Sequence, residues 1–109
     1  MTMYLEHDPT GQLAAGQFER IAKALADPRR FAMLEAIGTE RECPNQTLCQ
    51  DFPVSKATVS HHLKELIQAG LVEADREGQY VHYRANSDII KAYAAELVRR
   101  VSRKTGPGS

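Results

Sequence analysis

The chain has no apolar run approaching the roughly 20 residues that a membrane-spanning helix needs. Its opening stretch, Met1-Thr-Met-Tyr-Leu-Glu-His-Asp8, lacks the basic and apolar regions of a secretory signal. Both absences point to a cytoplasmic protein with no membrane partner. Cysteine is scarce, with two in 109 residues, and in a cytosolic setting such a pair reads as thiols rather than a structural bridge. Net charge is missing too, because 14 basic side chains balance 14 acidic ones. A protein that coats nucleic acid indiscriminately carries a basic excess, so that class is excluded, but a reader with a local basic surface is not. Catalytic signatures are absent: no phosphate-cradling glycine loop, no Gly-x-Ser-x-Gly and no His-Glu-x-x-His occurs. No internal repeat or linker divides the chain, and its length suits one domain of roughly 100–200 residues. A core of that size is small, so burial between two subunits would help it.

What is present centres on Val54 to Ala85. Ser55 is a good N-cap and Gly70 stands where a helix stop belongs, which predicts a helix between them. Val59, Leu63, Leu66 and Ile67 recur at i, i+4, i+7 and i+8, one apolar stripe at helical period. The same helix exposes Lys56, Thr58, Ser60, His61, His62, Lys64, Glu65 and Gln68, side chains of the kind that reach base edges and phosphates. The period then changes. Leu71, Val72 and Ala74 precede a turn at Glu77-Gly78, and Val81 and Tyr83 share one face of the run from Tyr80 to Arg84, so a β-hairpin is expected. Tyr80, Val81 and Tyr83 read as packing residues.

Upstream, residues 1–10 form a polar arm, and Gly11 to Leu25 reads as a helix from the spacing of Leu13, Ala14, Phe18, Ile21, Ala22 and Leu25. Asp27-Pro28 opens the next, an N-cap followed by proline at the first helical position; Phe31, Met33, Leu34 and Ile37 give its apolar side. Thr39 to Cys43 is a charged connection. Pro44 opens a short helix through Phe52, with Leu48, Cys49 and Phe52 inward, and Pro53 turns the chain toward the central helix. After the hairpin, Asn86-Ser87-Asp88 caps a last helix whose apolar stripe holds Ile89, Ile90, Tyr93, Ala94, Leu97, Val98 and Val101. Residues 103–109 read as a disordered tail. The expected domain, residues 11–102, is mainly α with a small β-hairpin wing, a winged helix-turn-helix of order α-α-α-α-β-β-α. In such units the second helix of the motif lies in the major groove.

Ser55-Lys-Ala-Thr-Val-Ser-His-His-Leu63, Gly70-Leu-Val72, Gly78-Gln-Tyr-Val-His-Tyr-Arg84 and Asp27-Pro-Arg-Arg30 together resemble the ArsR/SmtB family of bacterial winged-helix repressors, over about Phe18 to Leu97. The resemblance implies a homodimer that blocks an inverted-repeat operator in double-stranded DNA until a signal releases it. Carried over by position, it implies groove contacts for Lys56, Thr58, Ser60 and His61. Lys64 and His62 are candidate phosphate contacts or plain solvated positions. It also implies a dimer interface of the first and last helices, with Leu13, Phe18, Ile90, Tyr93, Leu97 and Val101 as candidates. Arg76 and Gln79 flank the wing tip, where an arginine can meet phosphate or a minor groove. Arg29 and Arg30 are open between phosphate contact and a structural ion pair.

The metal-sensing pattern of that family is a different matter. Its Cys-x-Cys pair would fall at Pro44 and Gln46, and from Ser87 to Lys104 there is no histidine. No metal or cofactor is expected. Cys43 and Cys49 remain a candidate redox pair, Cys43 at a helix entrance where its pKa could be lowered and Cys49 as a buried structural thiol. Six residues apart in a continuous helix they would be about 9 Å apart along the axis, too far for a bridge that needs Cα atoms within about 7 Å. Two alternatives stay open: a repressor answering thiol oxidation or a soft metal, with His7 a candidate co-ligand of Cys43, and a winged helix that binds protein instead of DNA.

Overall fold

The structure is a computed structural model that describes residues 13–39, 43–52 and 54–102, apart from the side chains at 49 and 51. The expected arm, the tail, and Pro53 with its turn lie outside the described residues. Among the described residues five helices and three strands follow in the order α1 (Gln17–Leu25), α2 (Pro28–Gly38), β1 (Cys43–Pro44), α3 (Asn45–Asp51), α4 (Lys56–Gln68), β2 (Val72–Glu77), β3 (Tyr80–Ala85) and α5 (Ser87–Val101).

The helix starts are written in local chemistry. Asp27 accepts hydrogen bonds from the Arg29 and Arg30 amides at 2.8 and 3.3 Å, with Pro28 in the first turn. Asn86 accepts from the Ile89 amide at 3.3 Å and opens α5. The first helix is the exception to the expected pattern, beginning at Gln17 rather than Gly11. Gly16 sits at φ 78°, a left-handed backbone that breaks helical continuity, so Leu13 and Ala14 form an approach to the helix.

The sheet also differs from the expected two-stranded wing. Its order is β1-β3-β2, all antiparallel, with Cys43 opposite Tyr83 and Pro44 opposite His82. A two-residue strand has no alternation to read, and it exists through a pairing partner some 40 residues away. Pro44 lacks an amide donor, which an edge strand tolerates. In the hairpin, Gly78 takes φ 60° at the first central position of a two-residue turn, where the mirror-image turns that suit strand twist call for glycine. Tyr80, expected to pack, is instead 63% exposed beside that turn.

One core joins these pieces. Ile21 of α1, Met33 and Ile37 of α2, Leu48 of α3, Val59, Leu63 and Leu66 of α4, Leu71, Val72 of β2 and Ile89 of α5 are buried together. At about 1.5–3 kcal/mol for each fully buried large aliphatic side chain, this shared interior fixes α4 against the rest of the domain.

Candidate nucleic-acid interface

The α4 helix is capped by Ser55, whose Oγ accepts from the Thr58 amide at 3.1 Å and lies 3.0 Å from the Thr58 Oγ1. Val59, Leu63 and Leu66 turn into the core. The opposite side is thereby committed to solvent: Lys56, Ala57, Ser60, His61 and Lys64 are all exposed. Over about 20 Å of helix this face offers two ammonium groups, a hydroxyl and an imidazole, with no large apolar side chain. Such groups hydrogen-bond base edges and neutralise phosphates. Thr58 is half-buried and its hydroxyl is committed to Ser55, so it belongs to the cap more than to the outer face.

His62 is the clear departure from expectation. Its side chain is 7% exposed and its Nδ1 lies 3.4 Å from the Arg30 Nη1 of α2. It stands three residues after Val59 and four before Leu66, on the buried stripe, so it is removed from the DNA-facing set. Burial, first of all, lowers its pKa below 6.5, with the Arg30, His61 and Arg29 charges adding to the effect and Asp27 opposing it. Arg30 is committed to backbone carbonyls rather than to an ion pair among the described residues. Its Nε donates to the Ala24 carbonyl at 2.8 Å and its Nη2 to the Lys23 carbonyl at 3.3 Å, closing the C-terminal end of α1.

On the wing, Arg76 and Gln79 are exposed. The register pairs Arg76 with Val81 and Ala74 with Tyr83, while Glu73, Asp75 and Glu77 pair with Arg84, His82 and Tyr80. Because alternate residues of a strand point to opposite faces, the three carboxylates lie on the other side of the hairpin from Arg76. Arg76 therefore stands apart from these three carboxylates, of which Glu73 pairs with Arg84 at 3.3 Å.

The thiol candidates fare differently. Cys43 does stand at the entrance of α3, just before its Pro44 N-cap, but it is 2% exposed, inside the core on β1, where a reagent has no ready access. The Cys49 side chain lies outside the described residues. Among the described residues no group of three His, Cys, Asp or Glu side chains could hold a metal ion.

The dimer candidates split into two sets. Leu13, Phe18, Ile90 and Tyr93 are half-buried within the protomer, with the Phe18 and Tyr93 rings 5.0 Å apart. Leu97 and Val101 are exposed, with Val98 beside them. Arg100 stacks 4.0 Å over the Phe18 ring and pairs with Glu19 and Glu96. Glu96, which also accepts from Arg99, is pulled to a pKa of about 2 by the Arg99 and then the Arg100 hydrogen bonds.

A residue absent from every sequence expectation is Gln17. It is fully buried and donates from Nε2 to the Ala69 carbonyl at 3.0 Å. Its place on the i, i+4, i+7 line with Ile21 and Ala24 was the available signal.

Comparison with known proteins places this geometry. A helix-turn-helix domain family matches residues 25–74, from the end of α1 into β2. The arsenical resistance operon repressor of Bacillus subtilis is 27% identical over 101 residues, 93% of this chain and 96% of that protein. The transcriptional repressor SdpR of the same organism is 31% identical over 72 residues, covering 65% of this chain and 78% of SdpR. A homodimeric winged helix-turn-helix DNA-binding domain from Mycobacterium bovis superposes with a TM-score of 0.64 at 31% identity, covering 79% of this chain and 80% of that one.

The chain belongs to the ArsR family. Members of this family are transcriptional regulators with a DNA-binding helix-turn-helix, not enzymes, and the same holds for this ArsR-family protein. The matched residues include α3 and α4, the two helices of the motif. No described helix is long and apolar enough to cross a membrane.

Proposed function

We propose that this ArsR-family protein is a homodimeric repressor. Two copies join through α1 and α5 and seat their α4 helices in successive major grooves of an inverted-repeat operator, with half-sites about 10 bp or a multiple of it apart. Lys56, Ser60, His61 and Lys64 face the groove, and Arg76 and Gln79 of the wing reach the flanking backbone. A signal that favours a dimer with the wrong helix spacing would release the promoter. The observation carrying this reading is the outer face of α4, exposed, hydroxyl-bearing and basic, held rigid by a buried stripe on its other side. A protein-binding face would present aromatic or large aliphatic groups there, and a thiol switch at Cys43 would have to act from inside the core.

The test is fluorescence anisotropy on the gene's own upstream region, comparing wild type with the double variant Ser60→Ala, His61→Ala. A single hydrogen bond is worth about 0.5–1.5 kcal/mol net, so the loss of two is expected to lower affinity about tenfold with an unchanged melting curve. Unchanged affinity removes both residues from the interface. Titrations with oxidant and with metal ions then ask which signal releases the complex.

A further inference from the structure

Gln17 has no exposed surface, and both ends of its amide are committed. The Oε1 accepts from the Ala14 amide at 2.8 Å, and the Nε2 donates to the carbonyl of Ala69, 52 positions later in the chain. Ala69 is the C-cap of α4. Gly70 follows at φ 86°, and a Cβ there would stand 2.5 Å from the Gln17 Nε2. The missing side chain at position 70 is what admits the amide. One turn further along α1, the Arg20 Nη1 reaches the Gln68 Oε1 at 3.5 Å. On its other side α1 meets α5, through the Phe18–Tyr93 ring contact and the Glu19–Arg100 ion pair. The first helix thus stands between the last helix and the far end of the reading helix.

The geometry points to Gln17 as a positioning residue for operator recognition, one that sets the angle of α4 against the α1–α5 pair and so the spacing of the two reading helices. This rests on the dimeric reading above. The buried stripe holds α4 in the domain through contacts that are themselves non-directional, and the Gln17 amide adds a directional one at its C-terminal end, because a buried hydrogen bond weakens steeply with distance and angle and leaves unsatisfied groups when broken. Ala69 also sits at the end of α4 remote from Lys56, so it acts as a pivot. Over a helix of about 20 Å, a tilt of about 10° at the pivot moves the other end by roughly 3 Å, close to one base-pair step of about 3.4 Å.

The experiment uses Gln17→Met, which keeps the length of the side chain and removes its donor and acceptor. Affinity is measured by anisotropy on duplexes whose half-sites keep the native spacing or are moved by one or two base pairs, and light scattering reports the dimer. The variant is expected to stay dimeric, to lose about tenfold in affinity at native spacing, and to lose the preference for that spacing. Ile21→Val, a small cavity in the same helix, is expected to keep the preference. Should Gln17→Met fail to fold, Gln17→Asn retains an amide too short to reach both Ala14 and Ala69, and the same loss of preference is expected. A wild-type spacing preference in either variant overturns the positioning role. Failure of both to fold overturns it too, by making Gln17 a folding requirement. A wild-type protein that is monomeric or ignores its operator defeats the dimeric reading instead, which the unmutated control reveals.

Discussion

Protonating His62 would put a second positive charge beside the Arg30 guanidinium, in a place with little water to screen it. Among the described residues Asp27 is the carboxylate that favours the charged ring, while Arg29, Arg30 and the neighbouring His61 oppose it, and burial outweighs each of them. The unfolded chain takes up this proton near 6.5, and the folded chain resists until a lower pH. Between those two values the unfolded state binds more protons, so stability falls as pH drops below 6.5 and is unaffected by this group above it. Urea midpoints recorded from about pH 8 to about pH 5 should show this decline in wild type and a flatter profile in His62→Gln, which stays neutral beside Arg30. Asp27, whose own pKa is lowered chiefly by the Arg30 amide, loses its contribution only at more acidic pH, as pH falls below 3.8. Identical profiles for the two proteins would show that His62 does not resist the proton.

At the scale of the elements, two glycines hold turns for different reasons, and substitution separates them. Gly78 has φ 60° and open space where a Cβ would go; Gly70 has φ 86° and the Gln17 amide there. Left-handed backbone costs an L-residue about 1–2 kcal/mol, which is the whole expected penalty of Gly78→Ala. At Gly70→Ala the amide must also leave Ala69, adding about 1–3 kcal/mol for buried groups without partners. Chemical denaturation should rank the two in that order, and equal losses would deny the wedge at Gly70. These same turns explain what could be read from the chain in advance. Capping residues, period changes and turn glycines act within a few positions, so α2, α3, α4, the hairpin and α5 were legible from Asp27, Pro44, Ser55, Gly78 and Asn86. The β1 strand and the Gln17 bridge were not, because each exists through a partner about 40 or more residues away. The burial of His62 is hidden for a subtler reason: a histidine on an apolar stripe looks like its polar neighbours until α2 is folded against it. The outward positions of Lys56, Ser60, His61 and Lys64 needed only the stripe opposite them.

At the scale of the whole molecule the exposed feature is the C-terminal half of α5. Leu97, Val98 and Val101 are exposed, Val101 at 72%, although the N-terminal half of the helix packs into the core through Ile89. Beside them a groove of about 580 Å³ runs between α1 and α5, lined by Leu13, Phe18, Ala92, Ala95, Glu96 and Arg99 among others. Its acidic rim residue Glu96 stays ionised down to a pH of about 2, so association through this face should not titrate with that group over the physiological range. A domain with so small a core gains from burying the strip against a second copy. Replacing Leu97 and Val101 together by glutamate puts charge on that strip without touching the protomer's buried residues. The protomer is therefore expected to keep its circular dichroism and to run as a monomer in light scattering. Operator affinity should fall by roughly 10²–10⁴-fold, because each reading helix then binds its half-site without the effective concentration that a linked partner supplies. A variant that remains dimeric would move the interface elsewhere. A monomer that still binds the full operator tightly would show that one α4 helix and one wing suffice, and the two-fold geometry would lose its role.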